Sequence, residues 1–545
     1  MPGVFGRLLP FLYERVAPNL RTMWASRQPL AWLLALIIGV VAAYGILAFR
    51  YLILGIQYPW LDTFHEADVA TSAAQQDWWL LLLVPCLGGL LVGWILHKFL
   101  PSGRAEAVAD VIEARAIGGA QMSLKTGLWS ALVAALSLGF GASAGREGPA
   151  VHLGATIASS IGSKFSLPPE KRRVILACGA AAAVSASFNA PIAGVLFAHE
   201  VILGHFAISA FVPTAIAAVG ATIITRIHLG DFPAFIIPTY EITSLWEFPA
   251  FALLGIVCGL VAIGFQFAVM AADWSARSIP MPLWLRPAVG GLMIGAIAIY
   301  VPEILGVGYE ATNLALSHQL ALGTLFTLLF AKTLATAITL ASRFGGGVFS
   351  PSLYLGAMAG GAYGLMAGSV FPELASSEGL YAILGMGAVA GAVLGAPIST
   401  VLIAFELTGG YEMTIALLLT VSLASVMMQA VHGQSFFHWQ LGQRGLFLHA
   451  GPHKEVVRRW RVREFMLPLS EEEKANPPEI DPDLPLLTPD DTLESALRAF
   501  DAGSYTRISV TSSTDTSKII GYATQMGALR TYNQALIASH EEEHR

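Results

Sequence analysis

Long apolar segments separated by short polar linkers occupy most of the chain. The first two, Pro29–Ile56 and Trp78–Phe99, each exceed the roughly 18 apolar residues that mark a membrane-spanning helix. The apolar character, with frequent glycine and proline, continues to about residue 432. The pattern therefore predicts an all-α polytopic membrane protein in which several helices are broken.

The composition agrees with a chain that lies mostly in lipid. The 545 residues are 55% hydrophobic and 12% charged, with a mean hydropathy of +0.63, whereas soluble domains carry about 25% charged residues. Cys86, Cys178 and Cys258 all lie in apolar runs and predict neither a disulfide framework nor a metal site. The sequence contains no Gly-x4-Gly-Lys-Ser/Thr phosphate loop, so we expect neither an ATP-driven pump nor any other enzyme.

The distribution of Lys and Arg predicts the orientation of the chain, because short cytoplasmic loops are enriched in both. The linkers Gln57–Asp77 and Gly230–Phe248 contain neither residue and are expected outside. We therefore expect a multi-pass protein of the cell membrane with both termini in the cytoplasm. The basic residues assigned to the cytoplasmic side are Arg7, Arg15, Arg21, Arg27, Lys98, Lys164, Lys171, Arg172, Arg173, Arg277 and Arg286.

An internal repeat is the most informative feature of the sequence. The run Gly145-Arg-Glu-Gly-Pro149 aligns with Gly347-Val-Phe-Ser-Pro351 at an offset of 202 residues. Farther along, Ala190-Pro-Ile192 aligns with Ala396-Pro-Ile398 at an offset of 206. The chain therefore contains two homologous halves, at about 29–228 and 246–432, although the sequence alone does not show whether the second is inverted. Repeated halves with broken segments at matching positions point to a transporter substrate site.

The two Gly/Pro runs predict two helix starts inside the membrane. Non-helical backbone is tolerated at that depth only where protein or a water-filled cavity covers it. The free N–H groups of a helix start, with about +0.5 charge from the helix dipole, attract an anion. The alternative for either run alone is a packing kink. Two matching runs favour a pair of helix starts that share one anion.

Glu147 is the residue most suggestive of chemistry, because carboxylates inside membranes are rare and usually functional. It lies between Gly145 and Pro149 in an apolar stretch. An ionised carboxylate at this place would occupy the anion site, and protonation would release it. Glu147 is therefore a candidate gate that couples anion passage to a proton. The alternative is a carboxylate that only pairs with the neighbouring Arg146.

These runs, together with Phe188-Asn-Ala-Pro-Ile-Ala-Gly194, resemble the CLC family of chloride channels and proton/chloride exchangers. The resemblance covers about residues 30–445. It implies an inverted repeat of tilted, mostly short helices and a homodimer with one pore in each subunit. It further implies that Glu147 is the external gate and that chloride is the substrate, without a cofactor. The positions that match the family's chloride contacts are Ser102, Gly148, Val348, Phe349 and Phe437, and the motif positions are Gly145, Arg146, Pro149, Gly347 and Pro351.

Three positions depart from the family pattern. Phe437 stands where the family has a chloride-binding tyrosine, so one hydrogen bond to the ion is lost and weaker binding is expected. Val201 stands at the internal proton-transfer glutamate of the bacterial exchangers and cannot carry a proton. Arg104, in the loop with Ser102, is either a cation at the inner pore mouth or a charge of a cytoplasmic loop.

The departure at Val201 leaves two functions open. The neighbours His199, Glu200 and His205 are candidates for a proton relay, but a structural contact is the favoured interpretation, since Glu200 aligns with Glu406 in the second half. We expect a proton-coupled chloride exchanger, and the alternative is a passive, gated chloride channel. A membrane receptor or scaffold is disfavoured, because a sensor needs no carboxylate between broken helices.

The chain divides into a cytoplasmic N-terminal segment (1–28), a transmembrane domain (29–445) and a cytoplasmic tail (446–545). In the tail, a helix from about Leu493 with Thr488 or Asp491 as its cap, strands at Arg507–Thr511 and Lys518–Thr524, and a helix at Gln525–Ala538 are predicted. This small α/β order resembles a single CBS motif, which would pair across a dimer. Gly527 stands at the acidic position that holds a nucleotide ribose in many such motifs, which argues against nucleotide binding by the tail. A nucleic-acid partner is not expected either.

Overall fold

The structure is a computed structural model that describes residues 27–117, 119–231, 240–447, 460–471, 485–503, 505–512 and 518–544, together with Phe235 and other isolated residues. Most of the predicted N-terminal segment 1–28 and of the basic stretch 444–464 lies outside the described residues. The chain forms two compact units, Met1–Gln440 and Leu441–Arg545.

The first unit is helical throughout its regular elements, as the apolar pattern predicts. Its helices are α1 (Gln28–Leu61), α2 (Val69–Ala74), α3 (Trp78–Phe99), α4 (Val108–Ala116), α5 (Leu124–Gly139), α6 (Glu147–Gly162), α7 (Pro169–Phe188), α8 (Pro191–Phe197), α9 (Ile208–Leu229), α10 (Phe248–Ser278), α11 (Arg286–Ala298), α12 (Tyr309–Leu316), α13 (Leu322–Ala341), α14 (Phe349–Val370), α15 (Glu378–Leu394), α16 (Pro397–Thr408), α17 (Tyr411–Val431) and α18 (Phe436–Gly442), the last of which continues into the second unit. A π-helix, Ala198–Leu203, extends α8, and 3-10 turns lie at Glu66–Asp68, Leu245–Glu247 and Pro302–Ile304.

Six helical segments among the described residues are long and apolar enough to cross a membrane. They are Gln28–Ala74, Trp78–Phe99, Ile208–Leu229, Leu245–Ser278, Leu322–Ala341 and Tyr411–Gly442. Shorter apolar helices such as α8 and α16 begin at a proline, whose fixed backbone angle suits the first turn of a helix. Long and short helices together make up the broken pattern that the glycines and prolines predict.

The two halves repeat the same order of helices. Helices α1 and α3–α9 correspond one by one to α10 and α11–α17. Equivalent pairs of helices also pack together in each half. The contact of α1 with α9 corresponds to that of α10 with α17, and the contact of α6 with α7 corresponds to that of α14 with α15. The left-handed residues that end α7 and α15, Asn189 and Gly395, are also 206 residues apart. The repeat predicted from two short motifs therefore runs from α1 to α17, apart from the short helix α2.

Helices α3 and α11 cross closely, and the glycines at the contact lie at equivalent positions of the two halves. A Cβ atom on Gly89 would lie 2.2 Å from the carbonyl oxygen of Pro287, and one on Gly291 would lie 2.0 Å from that of Pro85. Both pairs of mates, Pro85 with Pro287 and Gly89 with Gly291, are 202 residues apart. Sequence analysis missed this signal, because Pro-x3-Gly spacing is common in apolar helices.

Reciprocal contacts join the two halves about a local two-fold axis. The carboxylate of Glu200 accepts hydrogen bonds from the N–H groups of Ile398 (3.0 Å) and Ser399 (2.8 Å) at the start of α16. Its repeat mate, Glu406, accepts from those of Ile192 (3.0 Å) and Ala193 (2.7 Å) at the start of α8. Each carboxylate thus caps the helix start of the opposite half.

The second unit carries a small α/β fold, close to the predicted order. Its strands form one sheet in the order β1-β4-β3-β2, with β2 and β3 parallel and the other neighbours antiparallel. The predicted cap is wrong, since Thr492 accepts from the N–H of Ser495 (3.1 Å), whereas Thr488 and Asp491 bond to each other. The elements are β1 (Leu467–Pro468), β2 (Leu486–Leu487), α19 (Leu493–Gly503), β3 (Arg507–Thr511), β4 (Ile519–Thr524), α20 (Gln525–His544) and a 3-10 turn at Val462–Glu464.

Candidate functional site

The starts of α6 and α14 meet where the two Gly/Pro runs cross. Gly145 and Gly347 form an antiparallel bridge, with N–H to carbonyl distances of 2.7 Å and 2.8 Å. A Cβ atom on Gly148 would lie 3.3 Å from the Cα atom of Gly347, and the reverse distance is also 3.3 Å. Side chains at these positions would push the helix starts apart, which explains the glycines. The two helix starts predicted from the sequence therefore lie side by side.

Hydroxyl groups of α5 and α13 hold this crossing in place. The Oγ of Ser137 accepts from the N–H of Gly345 (2.9 Å), and the Oγ1 of Thr339 accepts from the N–H of Ser143 (3.1 Å). The mates in both pairs are 202 residues apart, so this contact also obeys the local two-fold relation. Buried N–H groups outside a helix need such partners in an apolar interior.

Glu147 is the first residue of α6, and its side chain is fully buried (0% exposed). Its Oε1 accepts a hydrogen bond from the hydroxyl of Tyr309 at 3.0 Å. Its Oε2 is buried and accepts no hydrogen bond from the residues that the structure describes. A half-satisfied carboxylate inside a membrane protein is costly, which is typical of a functional group rather than a packing one.

The main ion pair of Arg146 is with Glu66 rather than with Glu147. The main contact of Glu147 is the hydrogen bond from Tyr309. The guanidinium group forms an ion pair with Glu66, which also lies 3.4 Å from the Nε of Arg50. The distance between the Nε of Arg146 and the Oε1 of Glu147 is 3.9 Å, the limit of an ion pair. The guanidinium carbon also lies 5.2 Å from the centre of the Tyr309 ring, within cation–π range.

A cleft lies next to this gate. Arg146, Tyr309 and Glu66 all contribute to its wall, so the cleft reaches the groups that contact Glu147. Its other lining residues are Ile53, Gln57, Val69, Ala70, Glu303, Leu305, Val307, Gly308, Glu310 and Ala311. Glu66 lies in the linker Gln57–Asp77, so the cleft lies on the side of the gate that is expected to face outside.

Lys332 fixes the segment from which Tyr309 reaches Glu147. It is fully buried in α13, and its Nζ donates to the carbonyl oxygens of Ile304 and Gly306, both at 2.9 Å. The same nitrogen lies 5.2 Å from the centre of the Tyr354 ring. The lysine thus anchors the backbone just before α12, which begins with Tyr309.

The equivalent loop of the first half is held in the same manner. Ser130 on α5 stands 202 residues before Lys332, and its Oγ accepts from the N–H of Glu106 at 3.1 Å. Glu106 also contacts the Nε2 of His152 on α6, at 3.1 Å. The loops before α4 and α12 therefore both approach the crossing of α6 and α14.

The second-half positions Val348 and Phe349 are buried at the start of α14. The Phe349 ring lies 5.1 Å from the ring of Phe188 and 6.1 Å from that of Phe197. Phe188 opens the third sequence motif, so the structure brings all three motifs together. Aromatic rings around a helix start exclude water while leaving its N–H groups available.

Ser102 is exposed, whereas Phe437 is buried. The Ser102 side chain is exposed, and its hydroxyl donates to the carbonyl of Arg104 at 3.1 Å. Arg104 itself binds Asp110, with an Nη1 to Oδ2 distance of 3.0 Å, which supports the interpretation as a loop charge. Phe437 is buried at the start of α18, with its ring centre 6.2 Å from that of Phe436.

Val201 lies in the π-helix that follows α8, a wide turn often found at functional sites. The relay residues predicted beside it are engaged in other contacts. Glu200 caps α16, as described above, and the Nδ1 of His199 contacts the carbonyl of His205 (3.0 Å) while its Nε2 contacts Thr214 (3.4 Å). The prediction of a structural contact for Glu200 is therefore confirmed.

Sequence analysis missed Tyr309, Lys332 and the Glu106–His152 pair. A signal existed for Lys332, because it is the lone charge in the 20-residue apolar helix α13. For Tyr309 the sequence signal is weaker. It depends on knowing that Ala107, at the equivalent position of the first half, lies at the crossing of α6 and α14. Among the described residues, no group of three or more His, Cys, Asp or Glu side chains is arranged to hold a metal ion.

Two repeated halves of broken helices that meet at a buried glutamate define a membrane transport protein. Residues 88–429 match the family described as voltage gated chloride channel. The chain is 35% identical over 408 residues to a ClcB-like chloride channel protein of Ralstonia nicotianae, and the alignment covers 74% of this chain and 94% of that protein. The chain therefore belongs to the voltage-gated chloride channel (CLC) family.

Two solved structures share the fold. A slow cyanobacterial Cl⁻/H⁺ antiporter superposes with a TM-score of 0.67 at 24% identity, over 76% of this chain and 97% of that chain. A eukaryotic CLC transporter superposes with a TM-score of 0.64 at 18% identity, over 93% of this chain and 98% of that chain. Because both identities are low, these likenesses establish the fold alone.

Proposed function

We propose that this protein exchanges chloride for protons across the cell membrane, with Glu147 as the gate. One observation carries the proposal: the buried, half-satisfied carboxylate of Glu147 lies at the first position of α6, beside the start of α14. Family membership supports chloride as the substrate, and no cofactor is invoked. A chloride ion would be held by the N–H groups of Gly148, Val348 and Phe349, with Ser102 at the inner mouth.

In the proposed mechanism, the Glu147 carboxylate and chloride compete for one position beside the helix starts. An ionised Glu147 carboxylate takes the position near the helix starts that an anion prefers. Protonation removes its charge, so the side chain leaves and chloride enters. The proton then departs to the outer cleft, past Arg146 and Tyr309. Arg146 would attract chloride into that cleft, because its partner Glu66 is shared with a second cation, Arg50.

The second candidate is a gated chloride channel, and Val201 favours it. Without a carboxylate at that position, protons lack the inner acceptor of the bacterial exchangers. Glu147 would then open and close the pathway without coupled transport. Phe437 weakens chloride binding in either case, since a hydrogen bond to a charged partner contributes about 1.5–3 kcal/mol.

Proton movement in liposomes distinguishes the two candidates. The purified protein is reconstituted, a chloride gradient is imposed, and external pH and chloride are followed together. An exchanger drives protons uphill, and Glu147→Gln abolishes proton movement while chloride flux continues. The control is Glu412→Gln, an exposed glutamate at the start of α17, which leaves both fluxes unchanged. Chloride flux without proton movement in the unaltered protein would contradict exchange and establish the channel.

The remaining expectations belong to the same proposal. The local two-fold axis supports an inverted repeat, with the axis lying in the membrane plane. We further propose a homodimer with one pathway in each subunit, surrounded by lipid, with both termini in the cytoplasm. The order β2-α19-β3-β4-α20 supports a CBS-like tail that stabilises the dimer, without a nucleotide ligand.

A further inference from the structure

A group that takes up protons on the inner side of the gate would support exchange, and the residues near Val201 do not provide one. Glu200 accepts three hydrogen bonds from α16, two from N–H groups and one from the Ser399 hydroxyl. His199 is bonded through both ring nitrogens. These side chains support the fold, so an inner proton acceptor would lie elsewhere in the chain.

Glu106 and His152 form a titratable pair outside the contacts already assigned to transport. The Oε2 of Glu106 lies 3.1 Å from the Nε2 of His152. The His152 side chain is 1% exposed, whereas that of Glu106 is 25% exposed. One member of the pair is therefore partly exposed while the other is buried in α6. A proton can pass between two such groups at hydrogen-bond distance.

The pair lies on the inner side of Glu147. Helix α6 runs from Glu147 towards Lys164, which the basic loop places in the cytoplasm. His152 follows Glu147 by five residues on this helix, which corresponds to about 7.5 Å along its axis. The outer cleft, with Arg146 and Tyr309, lies at the other end of the gate. Glu147 thus stands between the cleft and the pair.

The loop that carries Glu106 also reaches the gate itself. The Cβ atom of Ala107 lies 3.9 Å from the position that a Cβ on Gly148 would take. Ser130 fixes the backbone of Glu106, and Asp110 accepts from the N–H of Ala107 at 2.8 Å. The charged groups of this loop and of α4 that lie nearest, Arg104 and Asp110, are bound to each other.

We infer that Glu106 and His152 are the inner proton-transfer pair of the exchange cycle, in the place of the carboxylate that Val201 lacks. The Glu106 carboxylate takes a proton from cytoplasmic water and gives it to the Nε2 of His152. The imidazolium gives its Nδ1 proton through water to the Glu147 carboxylate, which loses its charge and leaves the anion site, so that chloride enters. Each passage moves one proton, and His152 regains its starting tautomer when its remaining ring proton moves from Nε2 to Nδ1 through water. The inference rests on the proposed exchange function.

Coupled flux in liposomes tests the inference with Glu106→Gln and His152→Gln. We expect chloride flux to continue in both variants, which also shows that they fold. Proton flux should fall by at least about tenfold, since a positioned proton-transfer group contributes about 10²-fold or more. Glu106→Asp should restore part of it, because the carboxylate is kept. The matched control is His199→Gln, an equally buried histidine outside the pair, which should keep the coupling.

The outcomes separate the two proposals. Coupling at the unaltered ratio in both His152→Gln and Glu106→Gln overturns the proton-transfer pair and leaves the exchanger intact. Loss of coupling in His199→Gln, with coupling kept in His152→Gln, places the route at the π-helix and also overturns the pair. If the unaltered protein moves chloride without protons, exchange fails and the pair fails with it.

Discussion

Tyr309 is the residue that most directly controls the proposed gate. Its hydroxyl donates the one hydrogen bond that the described residues supply to Glu147. A hydrogen bond to a charged group contributes about 1.5–3 kcal/mol. We predict that Tyr309→Phe weakens the closed position of the carboxylate and accelerates chloride flux by about tenfold, the equivalent of about 1.4 kcal/mol. Initial chloride efflux from liposomes measures the change.

The double variant with Glu147→Ala shows whether Tyr309 acts through the gate. If it does, Tyr309→Phe changes nothing once the carboxylate is absent. Tyr354→Phe is the matched control, since the Tyr354 hydroxyl is buried without a hydrogen-bond partner among the described residues. Equal acceleration in the presence and absence of Glu147 would assign Tyr309 to packing alone.

At the scale of helices, reciprocal caps hold the two halves together. Replacing Glu406 by Ala leaves the N–H groups of Ile192 and Ala193 without their acceptor. The loss costs about 1–3 kcal/mol for the buried N–H of Ala193. We predict a lower Tm in detergent for Glu406→Ala and, by the two-fold relation, a similar decrease for Glu200→Ala. Glu406→Gln and Glu200→Gln keep an acceptor oxygen and should lie between these variants and the unaltered protein.

The Gln variants also decide the role of Glu200. A cap needs only an oxygen that accepts, whereas a proton carrier needs a carboxyl group that titrates. Glu200→Gln should therefore keep proton-coupled flux in liposomes. Loss of coupling at an unchanged Tm would contradict the structural role that the contacts with Ile398 and Ser399 indicate.

Short-range sequence signals predict the helix starts well and the contacts across the halves poorly. The glycines and prolines around Glu147 and Phe349 fix where α6 and α14 begin, because few other residues allow such a close crossing. The exchange of caps between Glu200 and Glu406 depends on a two-fold relation that sequence spacing does not contain. The same holds for Tyr309, whose partner stands 162 residues away. A period of 3.6 residues indicates which elements form, but not which distant side chains meet.

At the scale of the whole molecule, transport and tail are separate compact units. The proposed gate, the cleft and the proton-transfer pair all lie within Met1–Gln440. The tail has a hydrophobic core of its own, composed of Val462, Leu487, Leu493, Ala496, Phe500, Ile508, Val510, Ala523 and Ala528. Because none of the proposed site residues lies in the tail, removal of the tail should leave ion transport intact.

We predict that a chain ending at Gly445 retains chloride flux and its dependence on Glu147, but dissociates more readily into monomers. Flux in liposomes measures the first, and light scattering over a dilution series in detergent measures the second. Phe500→Asp in the full chain is the matched test, because a charge in the tail core should disrupt that unit and have the same two effects. Loss of flux in the shortened chain, with the dimer intact, would instead show that the tail controls the gate. Unchanged dissociation would remove the tail from the dimer contact and leave the first unit to form it alone.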